Sequence, residues 1–364
     1  ELPMSSKFGE NLSVAVFGQS HGKAIGVEID GLPSGEAIDM EELQRFLDRR
    51  KPGQGAMTTR RKETDVPTFL SGIVDDTTCG FPICAVIQNA DQHSHDYNNL
   101  RTNPRPSHAD YTAYLRYGES RDMRGGGHFS GRLTAPLCVA GGICKQILAR
   151  RGIYVGAHLQ QVSDIQDDRF PLYPTPELFD EIAARNPATI RDSAGRKMEE
   201  AIVAASKNLD SCGGIIECAV IGFPAGIGDP MFDGVENQLA KALFGIPAVK
   251  GLEFGSGFAG AASHGSENND PFILKDGKIA TETNHAGGIN GGISNGMPIV
   301  FRLAVKPTAS ISQKQRTVNL ETMEETELVI KGRHDPCIAV RAVPVAEAVA
   351  ATVVTDLLIG AHQL

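Results

Sequence analysis

The sequence predicts a single α+β domain, and three observations carry that reading. Runs rich in β-branched and aromatic residues alternate only irregularly with segments of helical periodicity. No composition break, low-complexity linker or short internal repeat divides the 364 residues. With 41% hydrophobic and 22% charged residues the chain can bury a large core, which excludes a disordered or fibrous protein. The domain is taken to span residues 1–364, with Glu1, Leu2 and Pro3, ahead of Met4, read as an added remnant.

Strands are expected at residues 14–17, 24–29, 81–87, 215–223, 297–305 and 325–330. The clearest helix is 40–50. Asp39 can cap it, Glu42 lies in its first turn, Leu43, Phe46 and Leu47 form one apolar stripe, and Pro52 and Gly53 stop it. Further helices are expected at 108–117, with Ser107 as cap, and at 131–151, 176–185, 197–208, 235–244 and 345–358. The 40 glycines gather at 125–127, 222–228, 255–265 and 287–296, where backbone either approaches a ligand or turns tightly between strands. Two long polar stretches, 89–107 and 262–286, read as functional loops.

Charge and composition narrow the partners. Against 44 Asp and Glu there are 35 Lys and Arg, a net charge of −9, so the surface is not built for nucleic acid or anionic lipid, and an anionic ligand needs a local basic cluster. No stretch approaches the roughly 18 apolar residues of a membrane helix, and the N-terminus lacks the order of a secretory signal, so a cytoplasmic protein is expected. Cys79, Cys84, Cys138, Cys144, Cys212, Cys218 and Cys337 are scattered and never in CxxC spacing. They read as reduced, mostly buried thiols rather than a disulfide framework or a metal site.

Five clusters on breaks between elements carry candidate chemistry. His21 lies in the turn Phe17-Gly18-Gln19-Ser20-His21-Gly22 and has the reach of a general acid near neutral pH. A second histidine, His108, follows Arg105-Pro106-Ser107 at a helix start. Arg121 to Arg132, with Gly125-Gly126-Gly127-His128-Phe129-Ser130 inside it, suits a phosphate at a helix N-terminus, without GxGxxG spacing or a Walker loop. Lys306-Pro307-Thr308-Ala309-Ser310 and Lys331-Gly332-Arg333-His334-Asp335-Pro336-Cys337, with Arg341 close behind, each follow a strand and combine cations with small hydroxyls or a carboxylate. Taken singly, each also reads as an ordinary turn, capped helix or surface loop.

Together these clusters resemble the chorismate synthase family. The likeness also takes in Leu47-Asp48-Arg49-Arg50-Lys51-Pro52-Gly53 and Asn284-His285-Ala286-Gly287-Gly288, and it runs from about His21 to Glu347. The Arg-His-Asp-Pro-Cys and His-Ala-Asp-Tyr pieces are its specific parts. The resemblance implies a helical core sandwiched between antiparallel sheets, a homotetramer, and a lyase that eliminates phosphate from 5-enolpyruvylshikimate 3-phosphate to give chorismate with reduced FMN. His21 would protonate the leaving phosphate, His108 the reduced flavin, and Asp335 would assist the flavin N5 as base. Arg50, Arg105, Ser130, Arg132 and Arg333 would bind substrate. Flavin contacts would come from His128, Phe129 and Ser130, from Pro247 and Ala248, from Gly291, from Lys306, Pro307, Thr308, Ala309 and Ser310, and from Arg333. Members differ in whether they reduce their own flavin with NADPH; without a nucleotide fingerprint, an external reductant is expected. The chain departs from the family pattern at three places. Gln19 stands where a glutamate is common, Ala56 where relatives carry a cation, with Arg60, Arg61 or Lys62 as substitutes, and His128-Phe129 where Arg-Ser or Arg-Phe is usual.

Overall fold

A computed structural model describes residues 6–53, 55–58, 63–90, 100–331 and 334–364. In chain order its elements are β1 Lys7–Phe8, β2 Ser13–Gly18, β3 Ala24–Asp30, α1 Met40–Asp48, β4 Thr68–Ser71, β5 Ile73–Val74, β6 Thr77–Thr78, β7 Ile83–Gln88, α2 Asp110–Tyr117, α3 Thr134–Ala149, β8 Tyr154–Val162, β9 Ile165–Gln166, α4 Pro176–Ala183 and α5 Asp192–Lys207. There follow β10 Gly214–Ile221, α6 Val235–Leu243, β11 Val249–Phe254, α7 Gly265–Asn268, β12 Phe272–Lys275, β13 Lys278–Thr281, β14 Ile289–Asn290, β15 Ile293–Ser294, β16 Ile299–Val305, β17 Gln315–Asn319, β18 Glu324–Leu328 and α8 Ala339–Gly360.

Two five-stranded antiparallel sheets enclose the helices. The first has the order β1-β2-β3-β7-β4, with Val14 opposite Ile29 and Val27 opposite Ala85. Ile25, Val27 and Ile29 alternate inward with Ile83, Ala85 and Ile87, giving one apolar face that lies on α3. The second sheet has the order β11-β16-β10-β8-β9. Residues Ile216 to Val220 are all buried because α8 covers one face and α4 packs on the other. Between the sheets α3 packs on α8, and small residues permit the approach: a Cβ on Gly141 would lie 2.2 Å from Ala348 Cα. Asp356 of α8 ties the helical layer to the first sheet, accepting from the backbone N–H groups of Glu10, Asn11 and Leu12 at 2.9, 2.7 and 2.8 Å.

This is the expected helical core between antiparallel sheets, with several local corrections. Strands β8, β11 and β17 and the ribbon β12–β13 lie outside the expected set, whereas β18 falls on the expected 325–330. Stretch 262–286 is not a bare loop, since it holds α7 and the β12–β13 hairpin. Helix α5 starts at Asp192, ahead of the expected residue 197, and α8 starts at Ala339 and runs through Pro344. Ser107 does not cap α2; it has φ +58°, and the cap position is Ala109, with no side-chain bond. Helix α8 is also long and apolar enough to cross a membrane, contrary to the sequence expectation, yet 83% of its apolar window is buried inside the protein, where it serves as a core helix. All seven cysteines are free and five are buried.

Candidate active site

The two sequence-selected histidines meet across the glycine turn. His21 follows β2 and is 2% exposed, with its Nδ1 3.1 Å from Ser20 Oγ. Ser20 N donates to Gly127 O at 3.1 Å and Ser20 Oγ to Arg124 O at 3.2 Å, which presses this turn onto residues 124–127. Gly125, Gly126 and Gly127 have φ of +67°, +121° and +58°. A Cβ on Gly125 would lie 2.2 Å from His21 Cε1, and one on Gly126 3.6 Å from His108 Nε2. Glycine is required here for both conformation and space.

Asp110 organises the second histidine. It takes both forks of Arg105, Nε at 2.7 Å and Nη2 at 2.8 Å, accepts from the Arg105 backbone N–H at 3.0 Å, and lies 2.8 Å from His108 Nδ1. Burial pushes the Asp110 carboxyl up, but the bonds from Arg105 and His108 outweigh it and hold the group far below the usual range. For His108, burial, aided by the Arg105 and Lys306 charges, lowers the pKa despite the pull of Asp110. His108 Nδ1 thus lies against the Asp110 carboxylate, and Nε2 is on the side of the glycine turn.

A cluster of buried guanidiniums stands beside the histidines. Asp65, 1% exposed, bridges Arg50 (Nη2 to Oδ2, 2.6 Å) and Arg132, whose Nη1 bonds Oδ1. Burial raises the Asp65 carboxyl, yet the two arginines, Arg50 more than Arg132, bring it down to about 2. Arg132 Nε also donates to Asn89 Oδ1 at 3.1 Å, while Arg50 Nη1 donates to Thr134 Oγ1 at 3.2 Å. Arg50 Nε is buried with no hydrogen-bond partner among the described residues, an orphaned donor that suits an anion. Arg341 connects this cluster to Asp335: its Nε donates to Arg50 O at 2.7 Å and its Nη1 to Asp335 Oδ2 at 2.6 Å. Arg49 and Lys145 both pair with Glu347, which burial raises but these cations hold at about 2.

The expected flavin residues divide. Lys306 N donates to Ala248 O at 3.0 Å, Ala248 itself has φ +74°, and Lys306 Nζ donates to Ser107 O. Ser310 Oγ accepts from Arg105 Nη1 at 3.2 Å, and Thr308 Oγ1 donates to Asp335 O at 2.7 Å. So 105–108, 247–248, 306–310 and Asp335 form one neighbourhood, next to an open cavity of about 350 Å³ lined by Arg105, His108, Tyr111, Thr112 and Arg316. That volume is of the size that binds cofactors, and Lys306 and Arg105 give its surroundings the charge an anionic flavin needs. Ser130 instead accepts from Arg132 N at 3.2 Å, and Phe129 is 43% exposed, its ring 6.3 Å from that of Tyr117. Both ring nitrogens of His128 are engaged at 2.7 Å, Nδ1 with Gly18 O and Nε2 with Ser6 Oγ, so its role here is to fasten the glycine turn to β2. Gly291 lies in the β14–β15 turn beside Gly292, which packs on Asp229 and Gly234; no contact joins it to the flavin neighbourhood among the described residues. Arg333 lies outside the described residues, as do Gly332, Arg60, Arg61, Lys62, His93 and His95.

Sequence reasoning missed Asp65, Asn89 and the positioning parts of Asp110 and Arg341. The available signal was a carboxylate, Asp65, three residues after the basic run 60–62, and an Asp two residues beyond His108.

The chain resembles known proteins along almost its whole length. The chorismate synthase family profile matches residues 12–359. Chorismate synthase of Methanothermobacter thermautotrophicus is 46% identical over 355 residues, 97% of this chain and 94% of that one. The Thermococcus kodakarensis chorismate synthase is 46% identical over 351 residues, 96% of this chain and 97% of its own. A solved crystal structure of a chorismate synthase superposes with a TM-score of 0.77 at 25% identity, covering 97% of this chain and 93% of the other.

Proposed function

Because the chain belongs to the chorismate synthase family, lyases of aromatic amino-acid biosynthesis, we propose that it eliminates phosphate from 5-enolpyruvylshikimate 3-phosphate through His21, His108, Asp335 and the Arg50–Arg132 pocket, with reduced FMN bound. The observation that supports this assignment most strongly is the glycine turn between buried His21 and half-buried His108, set beside guanidiniums aligned by one carboxylate.

The elimination breaks an allylic C–O bond and removes a weakly acidic ring hydrogen from another carbon. The substrate carries a phosphate and two carboxylates, so binding needs several fixed cations. Arg50 and Arg132, held by Asp65, meet one of these groups with preset guanidinium planes. Preset cations also stabilise the charge that gathers on the departing phosphate oxygen. His21, enclosed by Ser20 and Gly125, delivers a proton to that oxygen. Lys306 to Ser310, with Pro247 and Ala248, would hold the cofactor beside Arg105 and His108. Reduced FMN, when bound, would supply electron density for C–O cleavage. His108 keeps Nδ1 on Asp110 and directs Nε2 to the cofactor side, where added negative charge raises its proton affinity. Asp335, fixed by Arg341 and Thr308, assists removal of the ring hydrogen. The enzyme works as a homotetramer supplied with flavin reduced elsewhere; exposed Phe258, Phe272, Leu274 and Ile279 offer apolar surface for assembly.

His21→Asn and His108→Asn are each expected to lower kcat about 10²- to 10⁴-fold. Flavin affinity, measured by titration, is expected to stay near wild type in His21→Asn and to change in His108→Asn. Wild-type kcat in both variants overturns the assignment.

A further inference from the structure

Cys212 and Cys337 are remote in sequence and adjacent in space. Cys212 precedes β10, and its backbone N–H donates to Pro336 O at 2.9 Å; its Sγ lies 3.8 Å from the same oxygen. Cys337 is the residue after Pro336, and the two thiols lie near enough to shift each other's titration. Cys337 is 0% exposed and Cys212 8%, so only Cys212 offers an approach from outside. Cys337 sits at the N-terminus of α8, where its sulfur accepts from the backbone N–H groups of Ala339 and Val340. Cys337 holds the Cys212 thiol below its usual range, the condition for reaction as a thiolate.

The pair is wired into the candidate site. Asp335 is two residues before Cys337, Thr308 Oγ1 donates to Asp335 O at 2.7 Å, and Ser211 Oγ donates to Thr308 O at 2.8 Å. These bonds join the backbone beside both cysteines to Asp335 and to segment 306–310.

We propose that Cys212 and Cys337 form a reversible oxidative modification site, at which a hydroperoxide converts the dithiol to a disulfide and displaces Asp335. Cys212 thiolate attacks the peroxide oxygen, the O–O bond breaks, and Cys212 becomes a sulfenic acid as water or an alcohol leaves. The Cys337 thiol then displaces that hydroxyl as water, and the pair has lost two electrons to the peroxide. A dithiol reductant returns both thiols. An S–S bond of about 2 Å requires the two sulfurs to close together. A misplacement on the order of 1 Å near reacting groups costs about 10²-fold in rate. The effect on turnover rests on the lyase assignment above; the disulfide itself does not.

The test uses the full chain carrying Cys79→Ser and Cys84→Ser, which removes the two more exposed thiols. After hydrogen peroxide treatment and removal, peptide mass spectrometry should find 212 linked to 337. Activity with photoreduced FMN should fall about tenfold or more and return with dithiothreitol. Adding Cys212→Ser should leave activity intact and make it resist peroxide. The proposal is overturned if 212 and 337 remain separately alkylatable after peroxide, or if the Cys212→Ser protein is inactivated as fast as its parent. If the link forms in a protein that never turns over, the lyase assignment has failed instead, and an altered FMN titration after linkage still reports displacement of the segment.

Discussion

Asp65→Asn isolates the contribution of the carboxylate that aligns Arg50 and Arg132. Asparagine keeps the shape and tolerates the left-handed backbone at this position, φ +50°, so only the charge is removed. The two arginines bring folded Asp65 down to about 2, against roughly 3.9 in an unfolded chain, a difference on the order of 2–3 kcal/mol. Removing one partner of a buried pair costs about 3–5 kcal/mol by analogy with measured cases, so the two arguments agree on a loss near 3 kcal/mol. Because the folded pKa is depressed, this stability is fully present above roughly pH 4 and is lost as pH falls through about 2. The chain has no tryptophan, so urea unfolding should be followed by far-ultraviolet circular dichroism. The gap between wild type and variant should be near 3 kcal/mol at pH 7 and close toward zero by pH 2. KM for the substrate should rise about tenfold as the guanidiniums lose alignment. Equal stability at pH 7, or a gap that ignores pH, would refute the reasoning.

Four further outcomes follow from the same geometry. Gly125→Ala places a Cβ 2.2 Å from His21 Cε1 at a φ of +67°; it should cost about 1–3 kcal/mol in urea unfolding and abolish most turnover. Asp356→Ala leaves three backbone donors without their acceptor; unfolding should show a loss of about 2–4 kcal/mol, with kcat per folded molecule unchanged. His108, whose pKa burial lowers, should be neutral at pH 7 in NMR titration, should cost stability as pH falls through roughly 6.5, and should bind its proton more tightly once an anionic flavin is added. Replacing Phe272 and Leu274 by Lys on the exposed hairpin should shift the light-scattering mass toward a smaller species if that surface joins subunits.

The sequence showed those features that are local. Strands β2, β3, β10 and β16 announced themselves through β-branched runs, and α1 through its cap, stripe and stop. Strand β8 did not, because it is covered on both faces and carries Gly156, His158 and Gln160 in place of a clean alternation. The hydrogen-bond partner of its histidine is distant in sequence: His158 Nε2 lies 2.9 Å from Glu217 Oε1. Helix α8 shows the converse, an apolar run whose burial between layers no composition reveals. In the site, histidines and arginines stood out by residue type. Their carboxylate partners did not, since Asp65 and Asp110 look like surface acids until folding buries them against Arg50, Arg132 and Arg105. The glycine triplet likewise acquires its meaning from the rings it separates.

The most direct measurement is an anaerobic reaction of the purified protein with 5-enolpyruvylshikimate 3-phosphate, quantifying chorismate and phosphate together with reduced and with oxidised FMN. The account predicts equal release of both products with reduced flavin alone and no net consumption of reducing equivalents. Flavin binding without product, or product formed equally well with oxidised flavin, would contradict it.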